Sequence, residues 1–108
     1  MSNEENWHRV AEFDELDEEE PMQVSIGEKV IAICKLGEEA FAINDICSHE
    51  HAFLSDGMID GDCIECPLHM ALFDIRTGAA MTPPATEAIA TYPTRVEDGA
   101  VWVQVSSE

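Results

Sequence analysis

Residues 47–69 read Cys47-Ser48-His49-Glu50-His51-Ala52-Phe53-Leu54-Ser55-Asp56-Gly57-Met58-Ile59-Asp60-Gly61-Asp62-Cys63-Ile64-Glu65-Cys66-Pro67-Leu68-His69. Two thiol–imidazole pairs, Cys47 with His49 and Cys66 with His69, stand sixteen residues apart. Two thiolates and two imidazoles delivered by two loops make a soft nitrogen-and-sulfur metal site, suited to zinc or to an iron–sulfur cluster. Between the pairs, Ser55-Asp56-Gly57 ends the first loop. Met58-Ile59-Asp60, Gly61-Asp62 and Cys63-Ile64-Glu65 then predict a tight hairpin that feeds the second pair.

The flanking chain is patterned for strands on both sides. Upstream, Trp7-His8-Arg9-Val10 opens a strand, and the acidic run from Glu12 to Glu20 is a solvated loop or a helical turn stopped by Pro21. Met22 to Ile26 alternates apolar with polar, and after Gly27-Glu28 the run Val30 to Leu36 is nearly all apolar, which predicts a hairpin. Gly37-Glu38-Glu39 turns the chain into a third strand, Ala40 to Ile43. Downstream, Ala71 to Ile75 is a strand closed by Thr77-Gly78, and Thr82-Pro83-Pro84-Ala85 is a stiff turn. Ile89 to Val96 and Ala100 to Val105, joined at Glu97-Asp98-Gly99, predict a terminal hairpin. No helical periodicity persists beyond about two turns, and turn signals recur at the spacing typical of sandwiches and small barrels. The expected class is all-β, with antiparallel sheets and a subdomain in which two hairpin loops carry the ligands.

A chain of 108 residues is expected to form a single domain, residues 1–108, with residues 45–85 as the part that binds the metal. Its 23 acidic and 5 basic residues give a formal charge of −18. Nucleic acid and anionic membrane, both recognised through Lys and Arg, are thereby disfavoured as partners. An acidic surface keeps a small protein in solution; it also steers the chain toward basic docking faces, an attraction that weakens as salt rises. No apolar stretch is long enough for a membrane span, and the polar, acidic N-terminus lacks a secretory pattern, so the expected location is cytoplasmic. In that compartment four cysteines are metal ligands or free thiols rather than disulfides. Cys34, in an apolar run, is expected to be a buried inert thiol. Cys63 makes a Cys-x-x-Cys spacing with Cys66 that competes for metal, but a free thiol in a strand is the reading adopted here.

Cys-x-His followed by Cys-x-x-His is an uncommon zinc arrangement, and the spacing resembles that of the Rieske iron–sulfur proteins. The similarity extends to Asp62 through His69, Phe73-Asp74-Ile75-Arg76-Thr77-Gly78, Pro84-Ala85-Thr86 and Thr91-Tyr92-Pro93, which resemble the Rieske-type ferredoxins of bacterial multicomponent aromatic-ring dioxygenases. The resemblance implies a Rieske-like fold and one [2Fe-2S] cluster, with Cys47 and Cys66 on one iron and His49 and His69 on the other. Two ferric ions, two sulfides and two thiolates sum to zero charge, so the centre accepts an electron more readily than a four-thiolate cluster does; Rieske potentials span about −150 to +300 mV. The related proteins of quinol-oxidising complexes add a disulfide between the ligand loops, where this chain has Ala52 and Leu68, and two hydroxyl donors, where it has Ala71 and Phe73. Those differences imply the low end of the range. Met70 stands where many relatives have glycine and is favoured as part of a docking face. His51 is read as an exposed loop histidine, and His8 as structural or solvent-facing.

With four ligands on each iron, no position is open for substrate or oxygen, and a catalytic non-haem iron would need a separate two-histidine, one-carboxylate set. Only His8 and His51 remain for one. The resemblance therefore implies an electron carrier and not an enzyme. It would pass single electrons from a flavin-dependent ferredoxin reductase to a terminal oxygenase, with His49 and His69 at the exit. A Rieske-like small subunit of another redox enzyme, such as assimilatory nitrite reductase, and a zinc-stabilised interaction module are the alternatives.

Overall fold

β3 (Lys29–Leu36) is apolar almost throughout because both of its faces are covered. Ile31 and Ile33 enter one core, Ala32 and Cys34 another, and all four are buried. A strand covered on both faces has no polar side to alternate with. The computed structural model describes residues 7–46, 53–67, 71–82 and 88–105.

The middle layer is a four-stranded antiparallel sheet ordered β2 (Met22–Ile26), β3, β4 (Glu39–Asn44), β8 (Thr91–Tyr92). On one side, Ile31, Ile33, Ala40 and Ala42 pack with Val101, Val103, Val105 and Leu16. These valines belong to or follow β10 (Ala100–Gln104), the centre of a second sheet ordered β1 (Trp7–Glu12), β10, β9 (Thr94–Glu97). On the other side, Ala32, Cys34 and Ile43 pack with Ile59, Ile64 and Phe73. Those three lie in β5 (Met58–Asp60), β6 (Cys63–Glu65) and β7 (Leu72–Asp74), a third antiparallel sheet. The expected all-β class is observed, and the β5–β6 hairpin has its expected bounds, with Asp60 paired to Cys63 across the Gly61-Asp62 turn.

One expected strand divides. The run Ile89 to Val96 breaks at Pro93, which has no N–H to donate to a ladder. Thr91 and Tyr92 pair with Ile43 and Ala42 of the middle sheet, whereas Thr94 to Glu97 pair with β10. The Pro93 carbonyl still accepts from the Gln104 N–H at 3.0 Å. The β9–β10 turn uses Asp98 and Gly99, both at positive φ (+55° and +79°), the signature of a two-residue turn whose twist suits a hairpin. β10 also pairs with β1, from Trp7 opposite Gln104 to Glu12 opposite Ala100, so the two ends of the chain share a sheet. The acidic run contains a single 3-10 turn, Phe13–Glu15, then crosses to the third sheet, where the Glu19 carbonyl accepts from the Ile59 N–H at 2.9 Å. That bond engages the β5 edge. Among the described residues no helix is long and apolar enough to cross a membrane.

Candidate metal centre

Both ligand loops are pinned at their bases by main-chain hydrogen bonds. The first leaves β4 and returns at residue 53: Ile46 and Phe53 form an antiparallel bridge, and the Leu54 N–H donates to the Asp45 carbonyl at 2.6 Å. The second leaves β6 and returns at β7: Glu65 pairs with Leu72, and the Cys66 N–H donates to the Ala71 carbonyl at 2.8 Å. Of the four expected ligands, Cys66 is described and is buried. Cys47, His49 and His69 lie outside the described residues, as do His51, Ala52, Leu68, Met70 and the Pro83–Ala85 part of the expected turn.

The two bases meet in one apolar cluster. Leu54, at the foot of the first loop, packs with Cys66, Ala71 and Phe73 of the second, all essentially inaccessible to water. Gly57 and Glu65 lie so close that a Cβ on Gly57 would sit 1.8 Å from the Glu65 carbonyl oxygen. The second loop is further braced by the turn after β7. Asp74 Oδ1 accepts from the Arg76 and Thr77 N–H groups at 2.8 and 3.0 Å, and the Asp74 carbonyl accepts from Gly78 at 2.7 Å. Ile89 N–H then donates to the Gly78 carbonyl at 2.8 Å, tying this turn to the approach to β8. Arg76 completes the brace, pairing with Asp62 at 3.0 Å and lying 5.2 Å from the centre of the Phe41 ring. The Phe73–Gly78 stretch thus has a local physical purpose in the turn it forms.

Sequence reasoning missed Asp45, the one buried charged side chain among the described residues. Its Oδ1 accepts from the Ser55 N–H at 2.6 Å, and its Oδ2 accepts from Ser55 Oγ and from Gln23 Nε2, both at 2.7 Å. Asn44-Asp45 looks like an ordinary turn dipeptide, and its burial follows from a contact to Gln23, twenty-two residues away. The one available signal was its position between Ile43 and Ile46 at a strand end.

The other two described thiols behave as expected. Cys34 is wholly buried, and burial, with Asp45 second, pushes its pKa from 9.0 up to about 12. Cys63 is partly exposed on the outer face of β6, where it pairs with Asp60 and Asp74. Its thiol is raised by desolvation first and then by Asp74, Asp60 and Asp62. Neither is in a disulfide.

A cluster fits this arrangement. One described thiol, Cys66, sits at the junction of two closed loop bases, in an apolar shell of Leu54, Ala71 and Phe73 that limits water. Neither Ala71 nor Phe73 carries a hydroxyl. Comparison with known proteins agrees. A profile of the Rieske [2Fe-2S] domain matches residues 6–93, and the chain belongs to that family. It carries one [2Fe-2S] cluster, which sets aside zinc as its metal. The chain is 48% identical over 99 residues to the anthranilate 1,2-dioxygenase ferredoxin subunit of Burkholderia cepacia, covering 92% of each chain. Among solved structures it resembles the ferredoxin of Sphingomonas yanoikuyae B1, with a TM-score of 0.88 and 36% identity over 94% of this chain and all of that one. It also resembles a chain in a complex of reduced oxygenase and oxidised ferredoxin of carbazole 1,9a-dioxygenase, with a TM-score of 0.86 and 31% identity over 92% of this chain and 93% of that one. The chain is therefore an electron carrier of the ferredoxin type and not itself an enzyme.

Proposed function

We propose that this chain is the ferredoxin component of an aromatic-ring dioxygenase system, taking one electron at a time from a flavin-dependent reductase and delivering it to a terminal oxygenase. The observation that carries the reading is end-to-end similarity to a dioxygenase ferredoxin subunit, at 48% identity, combined with two pinned loops that converge on Cys66.

Cys47 and Cys66 would hold one iron, and His49 and His69 the other, within residues 45–85 of a single 108-residue domain. When bound, the cluster supplies reversible one-electron chemistry at a Rieske potential. The protein holds the ligand loops in register through the Cys66–Ala71 and Leu54–Asp45 hydrogen bonds and keeps water away with Leu54 and Phe73. The charge of −18 favours brief docking to basic faces of the reductase and the oxygenase in the cytoplasm. Substrate choice belongs to the oxygenase.

Electron paramagnetic resonance of the dithionite-reduced protein tests the reading. A Rieske spectrum with two irons per chain is expected, and His69→Cys should lower the midpoint potential. A silent spectrum with stoichiometric zinc would overturn the cluster, and an unchanged midpoint would overturn the ligand assignment. Reconstitution with candidate reductases and oxygenases separates a dioxygenase ferredoxin from the subunit of another redox enzyme.

A further inference from the structure

Asp45 begins two residues before Cys47, and its carboxylate is wholly buried. Burying a charge is expensive unless hydrogen bonds compensate for the lost water. Here three donors converge on it: the Ser55 N–H at 2.6 Å, and Ser55 Oγ and Gln23 Nε2 at 2.7 Å. Gln23 Nε2 also reaches Ser55 Oγ at 3.3 Å, so that oxygen accepts from Gln23 while donating its own proton to Asp45. Three donors thus replace lost water on both oxygens of one buried carboxylate. Among the described residues no Lys or Arg pairs with it. The main chain of Asp45 is equally engaged, donating to the Val30 carbonyl and accepting from Leu54. The side chain therefore ties the start of the first ligand loop to Ser55, just past its end, and the main chain ties it to β3.

We infer that Asp45 is the positioning residue of the first ligand loop and that its fixed negative charge lowers the midpoint potential of the centre. The inference rests on the Rieske electron-carrier reading. A carboxylate in an apolar interior is weakly screened, so its field reaches further than that of a surface acid. Reduction adds one electron to the centre, and a fixed negative charge at the foot of a ligand loop opposes that addition. Among the described residues the other carboxylates are not buried and are screened by salt, whereas the buried Asp45 is screened much less. Together with the missing hydroxyls at Ala71 and Phe73, it gives a second structural cause for a low potential.

Redox titration of the full-length holoprotein, followed by electron paramagnetic resonance, tests the inference with three variants. Asp45→Asn removes the charge and keeps an oxygen for the Ser55 N–H; its midpoint should move positive. Gln23→Lys places a cation against Oδ2 from an exposed position on β2 and should also move the midpoint positive. Ser55→Ala removes one bond and retains the charge; its midpoint should not rise, while exchange of the Leu54 and Ser55 amide protons accelerates, and Ser55→Thr should restore slow exchange. Wild-type midpoints in both Asp45→Asn and Gln23→Lys, with unaltered spectra, would overturn the inference. If Asp45→Asn fails to hold a cluster, the midpoint of Gln23→Lys decides alone. A wild-type protein with no Rieske spectrum overturns the electron-carrier reading, and the inference falls with it; a Rieske spectrum with unmoved midpoints overturns only the role of Asp45.

Discussion

Replacing Gly57 with alanine should disable the centre by displacing main chain, without touching a ligand. Gly57 has φ −90° and ψ −148°, so the obstacle is contact and not left-handed backbone. A Cβ there would lie 1.8 Å from the carbonyl oxygen of Glu65 and 3.3 Å from that of Leu54. Real Cβ contacts essentially never fall below 3.0 Å, so the gap must widen by about 1.2 Å. Neither neighbour is a side chain that can swing aside. Glu65 is fixed between Met58 and Leu72 and leads directly into Cys66, while Leu54 is the buried foot of the first loop. The cost should be about 3 kcal/mol, the upper end of the overpacking range, because backbone has to move. At about 4 °C per kcal/mol for a domain of this size, Tm should fall by roughly 12 °C. Circular dichroism melting gives the stability, and iron and sulfide per chain give the occupancy. Gly27→Ala is the control, since Gly27 has φ +62° and open space around it. It should cost about 1 kcal/mol through backbone strain alone and leave iron content intact. A Gly57→Ala protein with wild-type Tm and full iron would refute the close approach of the two loop bases.

Other outcomes follow from the thiols, the apolar shell and the charge. The raised Cys63 thiol should stay protonated above its ordinary range, so thiol-reactive dyes should label it slowly near pH 8 and faster as pH rises; Asp74→Asn should speed labelling, and an unchanged rate would remove the acidic neighbours as a cause. Because Cys34 is raised from 9.0 to about 12 in the folded protein, its contribution to stability is complete below pH 9 and lost as pH climbs toward 12. Urea midpoints across that window should fall less steeply in Cys34→Ala than in the wild type. Placing hydroxyls beside Cys66 with Ala71→Ser and Phe73→Tyr should raise the midpoint potential, measured by spectroelectrochemistry. Electron-transfer rates to the oxygenase should drop as ionic strength rises, and rates indifferent to salt would count against steering by the acidic surface.

The strands that alternate or stay apolar were legible because each side-chain pattern has one stable placement. Met22 to Ile26 and Met58 to Glu65 read correctly as hairpin segments, since the turn residues between strands fix the register locally. Pro93 shows where a local reading stops. Nothing in Ile89 to Val96 says that residues before the proline pair with β4 while those after it pair with β10, because sheet membership is set by partners far away in the chain. The β1–β10 pairing is of the same kind, joining Trp7 to Gln104.

For the centre, the sequence by itself narrowed the chemistry. Two Cys–His pairs leave zinc and an iron–sulfur cluster both open, and the residues around them, which resemble Rieske-type ferredoxins, favour a Rieske donor set; these signals are legible because residue identity and spacing are properties of the covalent chain. Only the tertiary structure decided how the loops are held. The contact of Gly57 with Glu65, the shared core of Leu54 and Cys66, and the burial of Asp45 under Ser55 and Gln23 all join segments that are distant in sequence. Such contacts exist only once the sheets pack, and a carboxylate that looks solvated in a turn becomes a buried, fully hydrogen-bonded charge through that packing.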